Sequence, residues 1–148
     1  METIKFSDKY FMKQALKEAQ KSFDADEVPV GAVIVCKDKI IARAHNLTER
    51  LNDVTAHAEM QAFTAATDYL NSKYLEQCIL YVTIEPCVMC AGASFWTHIS
   101  KIVYGAKDEK NGYSKISDKI LHPKTKIKKG VMEKECSELM KIFFKKKR

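Results

Sequence analysis

Two short runs hold the residue types that can do chemistry: Thr55-Ala56-His57-Ala58-Glu59 and Glu85-Pro86-Cys87-Val88-Met89-Cys90. Cys87 and Cys90 stand three positions apart, a spacing that brings both sulfurs to one side of a helix so that they can grip one ion. A place in the first helical turn favours thiolate, through the helix dipole and the free N–H groups there. His57 offers a third ligand from a neighbouring helix terminus. Three protein ligands leave one tetrahedral position for water, the layout of a catalytic rather than a structural zinc centre. Zinc suits a Cys2His set with no redox demand, although the spacing admits another metal. Zinc brings the pKa of water from about 15.7 down to about 7. Glu59 is then the candidate proton carrier between that water and a substrate. Only two positions from His57, it diverges from the ring on a regular helix, so one of the pair is expected at a cap.

Each piece also has a plainer reading. A C-x-x-C pair in an α/β protein serves equally as a redox pair or as half of a structural zinc site. A structural site needs a fourth ligand, and His45, His98, Cys36 or Cys78 satisfies the spacing. The combination is more specific. His-x-Glu followed by Pro-Cys-x-x-Cys, with 27 residues between Glu59 and Cys87, is the signature of zinc-dependent base deaminases.

The elements that must carry these runs are legible from periodicity. Phe11, Met12, Ala15, Leu16, Ala19 and Phe23 recur at helical spacing, with Ser7 as N-cap and Asp8 in the first turn. Residues 30–36 read as a buried strand, and Lys37-Asp38 turns the chain into a second strand over 39–45. A polar loop from Asn46 to Asp53 precedes a helix from about Thr55 to Leu70. Residues 78–84 form a central strand, and Pro86 opens a helix running to about Thr97. Residues 101–105 form another strand. The stretch 108–130 is polar and Lys-rich, with turns at Asn111-Gly112 and His122-Pro123. A last helix spans about Met132 to Phe144, with Met132, Cys136, Leu139, Met140 and Phe143 on one face. This order predicts an α/β sandwich around a mixed sheet.

Composition bounds the remaining choices. The chain has 148 residues, 46% hydrophobic and 30% charged, with 5 Gly and 3 Pro. That describes one folded domain over 1–148 with a real core, and it excludes collagen-like, low-complexity and disulfide-scaffold classes. Five cysteines are an odd number for a closed disulfide framework. Cys36, Cys78 and Cys136 lie in apolar runs and read as small core residues. The polar N-terminus and the lack of a long apolar run predict a soluble, cytoplasmic protein without a membrane span. Net charge is +6, divided as −3 over residues 1–100 and +9 over 101–148. A basic last third ending in Lys145-Lys146-Lys147-Arg148 suggests a polyanion partner, nucleic acid first, against the plainer reading of a solubilising tail.

Taken together, the runs place the chain in a family by resemblance. The sequence resembles the cytidine/deoxycytidylate deaminase superfamily, and within it the bacterial tRNA adenosine deaminases, over nearly its whole length. Beyond the zinc motif, the likeness rests on Val28-Pro29-Val30-Gly31-Ala32-Val33, Asn46, Ala91-Gly92-Ala93, Val103-Tyr104-Gly105-Ala106-Lys107-Asp108, Leu121-His122-Pro123 and Phe143-Phe144 before the basic end. It implies a three-layer α/β/α sandwich around a mixed five-stranded sheet, one zinc per subunit, and a homodimer. It implies hydrolytic deamination of the wobble adenosine in a tRNA anticodon stem-loop. By position, His57, Cys87 and Cys90 hold zinc and Glu59 moves protons. Asn46 and the N–H of Ala58 bind the base, Asp108 approaches the sugar, and Phe143 and Phe144 line the RNA side. Val54, Leu47-Thr48 and Ser94-Phe95-Trp96-Thr97-His98 depart from the pattern. The aromatic pair ending in Trp is similar to related guanine deaminases, which act on a free base; the plainer reading packs it within the helix and a dimer interface. A free-base deaminase and a non-catalytic, zinc-stabilised RNA-binding module are the alternative expectations.

Overall fold

The computed structural model describes residues 6–147. The basic-tail residue Arg148 and the first five residues of the polar N-terminus lie outside them. Five strands, β1 (Gly31–Cys36), β2 (Lys39–His45), β3 (Cys78–Ile84), β4 (Lys101–Ala106) and β5 (Lys126–Lys129), form one sheet in the order β2-β1-β3-β4-β5. β1 is antiparallel to both β2 and β3, whereas β3, β4 and β5 are parallel, so the sheet is mixed. Lys37 and Asp38 make the β1–β2 turn with φ of 51° and 63°, the left-handed pair that a two-residue hairpin requires.

Strand alternation sorts the core into two layers. Ala32, Ile34, Leu80, Val82, Ile102 and Tyr104 face the side covered by α2 (Ala58–Leu70) and α3 (Val88–Thr97). Val33, Val35, Tyr81 and Val103 face α1 (Asp8–Asp24) and α4 (Glu133–Lys146). The result is the expected α/β/α sandwich. Ser7 caps α1 by accepting from Tyr10 N at 3.1 Å. Gly31 lets α1 seat directly on β1, because a Cβ there would stand 2.0 Å from the carbonyl oxygen of Ala15. Among the described residues no helix is long and apolar enough to cross a membrane.

Three details differ from the periodicity. Helix α2 begins at Ala58, not Thr55. Thr55 instead donates its N–H and hydroxyl to Asp53 Oδ1 at 2.8 and 2.7 Å, a local turn that competes with helix. Pro86 precedes the N-cap of α3, since Cys87 is the cap and Val88 the first helical residue. The Lys-Ile-Lys-Lys run at 126–129 is a strand, though the pattern alone reads as loop. It is an exposed edge strand, and edge strands carry lysines that discourage further pairing.

Candidate metal and catalytic site

The sheet brings distant segments to one end. Register pairs Gly31 with His45, Ala32 with Val82, and Ile84 with Ala106. The start of β1 and the ends of β2, β3 and β4 therefore lie together, and Asn46, Glu85-Pro86-Cys87 and Asp108 emerge at that end. Helices α2 and α3 begin there too, with His57 and Cys87 as their N-caps, both in extended conformation. His57 at the cap and Glu59 inside the first turn resolve the divergence that a regular helix would impose on this pair.

His57 Nδ1 lies 3.6 Å from Cys87 Sγ and 3.6 Å from Cys90 Sγ. The three ligand atoms fall within 4.8 Å of one another. A tetrahedral ion with metal–sulfur bonds of about 2.3 Å and metal–nitrogen bonds of about 2.0–2.1 Å sets nitrogen and sulfur about 3.6 Å apart. The donor spacing thus fits zinc, and the borderline-soft N/S set suits it. Among the described residues no fourth histidine, cysteine or carboxylate joins this cluster. In particular His45, Cys36, Cys78 and His98 do not complete a structural site: His45 faces Glu18, Cys36 pairs with Cys78, and His98 stacks on Tyr74.

A hydrogen bond from Cys90, helped by one from His57, holds the Cys87 thiol down at about 4 against the opposing effect of burial. The same bond and burial push Cys90 upward. The Cys87 sulfur in turn raises His57. Glu59 is 4% exposed, and burial pushes its carboxyl up to about 7.

The remaining expected residues sort themselves by contact. Asn46 is 6% exposed, and its Oδ1 is the one buried side-chain polar atom among the described residues that lacks a partner. Its backbone is held on both sides: its N–H donates to Val30 O at 3.0 Å, and its carbonyl accepts from Ser22 Oγ at 2.9 Å. Ala58 is fully buried as the first residue of α2, where backbone N–H groups have no intrahelical acceptor. Asp108 Oδ1 accepts from the N–H groups of Lys110 and Asn111, closing its own loop. Phe143 is 5% exposed and meets Phe23 edge-on at 6.0 Å, so its ring is already covered by α1. Phe144 is 45% exposed. Phe95 and Trp96 meet edge-on at 5.5 Å, and Trp96 is 74% exposed on the single chain.

Two buried acids, Glu85 at the head of the 85–90 run and Glu27 outside any motif, hold loops at the site. Glu85 accepts from Asp108 N, Ser114 N and Ser114 Oγ at 3.2, 3.0 and 2.6 Å, tying the loop after β4 to the strand that leads into Cys87. Glu27 accepts from Glu49 N and Arg50 N at 2.9 and 2.8 Å, holding the loop that starts at Asn46. An acid at the end of an apolar run is the available sequence signal for Glu85; its partners lie more than 20 residues away.

Known proteins share these features. Residues 5–106 match the cytidine and deoxycytidylate deaminase zinc-binding region. The chain is 46% identical over 144 residues to a tRNA-specific adenosine deaminase of Aquifex aeolicus (strain VF5), covering 94% of this chain and 95% of that one. A structure solved in a study of A-to-I editing by tRNA:A34 deaminases superposes with a TM-score of 0.81 at 40% identity, covering 88% of this chain and 98% of its own. The guanine deaminase of Bacillus subtilis superposes with a TM-score of 0.68 at 36% identity, over 75% of this chain and 74% of its own. The chain belongs to the zinc-dependent cytidine and deoxycytidylate deaminase family and is a deaminase of the tRNA adenosine deaminase group.

Proposed function

We propose that this chain hydrolyses the wobble adenosine of a tRNA to inosine and releases ammonia. The observation that carries the reaction is the buried Glu59 beside a three-donor set spaced for zinc. His57, Cys87 and Cys90 would hold the ion, which supplies Lewis-acid activation of water, bringing its pKa to about 7. Glu59 takes one proton from the attacking water and passes it to the ring nitrogen, then takes the remaining hydroxyl proton and passes it to the departing amino group, so that the C–N bond breaks as the carbonyl forms and ammonia leaves. Its burial suits the work, since a carboxyl that is 4% exposed beside the donor set exchanges protons with the reacting groups rather than with bulk water. Asn46 Oδ1 accepts from the base, which relieves its unpartnered state. The N–H of Ala58 donates to the base edge from the start of α2, and Asp108 stands at the end of β4 for the sugar. Phe144 offers a stacking ring on the RNA side, while Phe143 anchors the helix that presents it.

The substrate assignment rests on likeness to tRNA-specific adenosine deaminases over nearly the full chain. The basic last third supports it, since lysines that neutralise phosphate draw in an RNA stem-loop. The structure divides that charge. Lys128 is paired with Asp8 and Lys147 with Asp26, each at 2.6 Å. Lys107, Lys119 and Lys129 border a cavity of about 860 Å³ beside β4 and β5. Residues 1–148 act as one catalytic domain with one zinc per subunit, in a cytoplasmic homodimer. Exposed Leu51, Val54, Val88 and Trp96 supply apolar surface for the partner copy.

The test is a deamination assay on zinc-loaded protein, offering an anticodon stem-loop with wobble adenosine beside free guanine, cytidine and adenosine. Inosine at the wobble position, lost in Glu59→Ala, bears the reading out. Turnover of a free base with the RNA untouched overturns the substrate assignment, and no turnover at all overturns the catalytic one.

A further inference from the structure

Cys36 and Cys78 face each other across β1 and β3, at the end of the sheet opposite the zinc ligands. Cys78 donates its N–H to Leu75 O at 3.0 Å, and its carbonyl accepts from Ser100 N at 3.1 Å. Both backbone groups thus point away from β1, which makes Cys36 and Cys78 a non-hydrogen-bonded cross-strand pair. Such pairs bring their Cα atoms to about 4.5 Å and their side chains to the same face. That separation lies within the range of about 4.4–6.8 Å that disulfides span. Both residues belong to the core layer under α2. Cys78 is fully buried, whereas Cys36 is half-buried. Both border a cavity of about 550 Å³ that runs along the connection from Leu70 to Gln77. The two sulfurs are neighbours: burial and the adjoining Cys36 push the Cys78 thiol up to about 12.

We propose that Cys36 and Cys78 are a reversible disulfide site, oxidised by a low-molecular-weight disulfide that enters through this cavity. The Cys36 thiol loses its proton to solvent and attacks one sulfur of the small disulfide, forming a mixed disulfide and expelling one small thiolate. Cys78 then loses its proton and attacks the Cys36 sulfur, expelling the second thiolate. Two protein thiols are oxidised and one small disulfide is reduced to two thiols. Access assigns the order, since Cys36 is the reachable sulfur and Cys78 the resolving one. The bridge closes the segment that carries β2 and α2, so it restrains the unfolded chain without entering the catalytic end. The metal-binding pair Cys87 and Cys90 is protected from the same reagent while zinc is bound.

The experiment incubates zinc-loaded protein with glutathione disulfide, quenches in acid, alkylates the remaining thiols and maps the peptides. The expected product keeps three of the five cysteines alkylated and joins Cys36 to Cys78, with zinc content and deamination rate unchanged. Its thermal midpoint rises by roughly 5–10 °C, and dithiothreitol reverses the change. Cys36→Ser abolishes the bridge and the rise while retaining fold and activity. Five alkylated cysteines, a glutathione adduct that stays on Cys36, or a bridge between Cys87 and Cys90 with zinc released would each overturn the proposal.

Discussion

Replacing Glu85 by Gln removes a single charge from a buried acceptor without changing its shape. Glu85 is 2% exposed, and its carboxylate satisfies three donors, with Oε2 taking both Ser114 groups and Oε1 taking Asp108 N. The amide keeps one oxygen. Placing it toward Ser114 preserves two bonds and sets NH2 against the N–H of Asp108, donor against donor. Gly112 closes the way out, since a Cβ there would lie 2.4 Å from Glu85 Cδ. One charge-assisted bond is lost and one part-buried N–H goes unpaired, at about 2–3 kcal/mol. For a chain of this length that lowers the thermal midpoint by roughly 5–10 °C. Glu85→Ala strands all three donors and costs about 3–5 kcal/mol. The ligands His57, Cys87 and Cys90 are untouched, so zinc content stays at one per chain. The loop carrying Asp108 loosens, and kcat/KM on an anticodon stem-loop falls roughly 10- to 100-fold. Urea unfolding, metal analysis and steady-state kinetics read the three effects separately. A Glu85→Gln protein with the parent's stability and rate would refute the clamp. Loss of zinc in step with activity would show that Glu85 acts on the metal helix and not on the loop.

Further outcomes are expected at four other places. Glu59→Gln keeps one zinc per chain by metal analysis and loses deamination by about 10²- to 10⁴-fold, the usual worth of a general acid–base. Asn46→Ala leaves unfolding free energy within about 1 kcal/mol, because its Oδ1 gives up no partner, and lowers kcat/KM by roughly 5- to 150-fold through the missing hydrogen bond to the base. At Asp8, burial pushes the carboxyl up, but hydrogen bonds from Lys128 Nζ and Tyr81 OH outweigh it and hold the group below 3.8. A depressed folded pKa stabilises above the unfolded value and ceases to as pH falls through the folded one. Urea midpoints for Asp8→Asn therefore fall below the parent's at pH 7 and converge with it below about pH 4; a constant gap would refute the linkage. In RNA binding, Lys145→Ala with Lys146→Ala flattens the dependence of log affinity on log salt by about 0.7–0.9 for each phosphate no longer neutralised. Lys128→Ala leaves the slope unchanged, since Asp8 already neutralises that charge.

Much of this protein is written in local pattern. Apolar runs set β1, β3 and β4 because each is buried on both faces, and the hairpin follows from two residues able to take positive φ. Ser7 at the start of α1 and the spacing of Cys87 and Cys90 are likewise local signals. The metal set is legible because ligand type and helical spacing are short-range properties. What needs the folded chain is everything decided by partners far away in sequence, together with a few local competitions that periodicity does not weigh. Thr55 has a helical neighbourhood, yet Asp53 takes its N–H and moves the helix start to Ala58, which is what frees His57 to point at the cysteines. Residues 126–129 show no apolar alternation and become a strand only because β4 offers an open edge. Phe143 and Phe144 are the same residue type side by side, and only the packing of α4 on α1 buries one and leaves the other exposed. Glu27 and Glu85 look like ordinary acids until the fold supplies backbone N–H groups from more than 20 residues away. Short-range chemistry determines which atoms can react, and long-range burial and pairing determine which of them face the substrate.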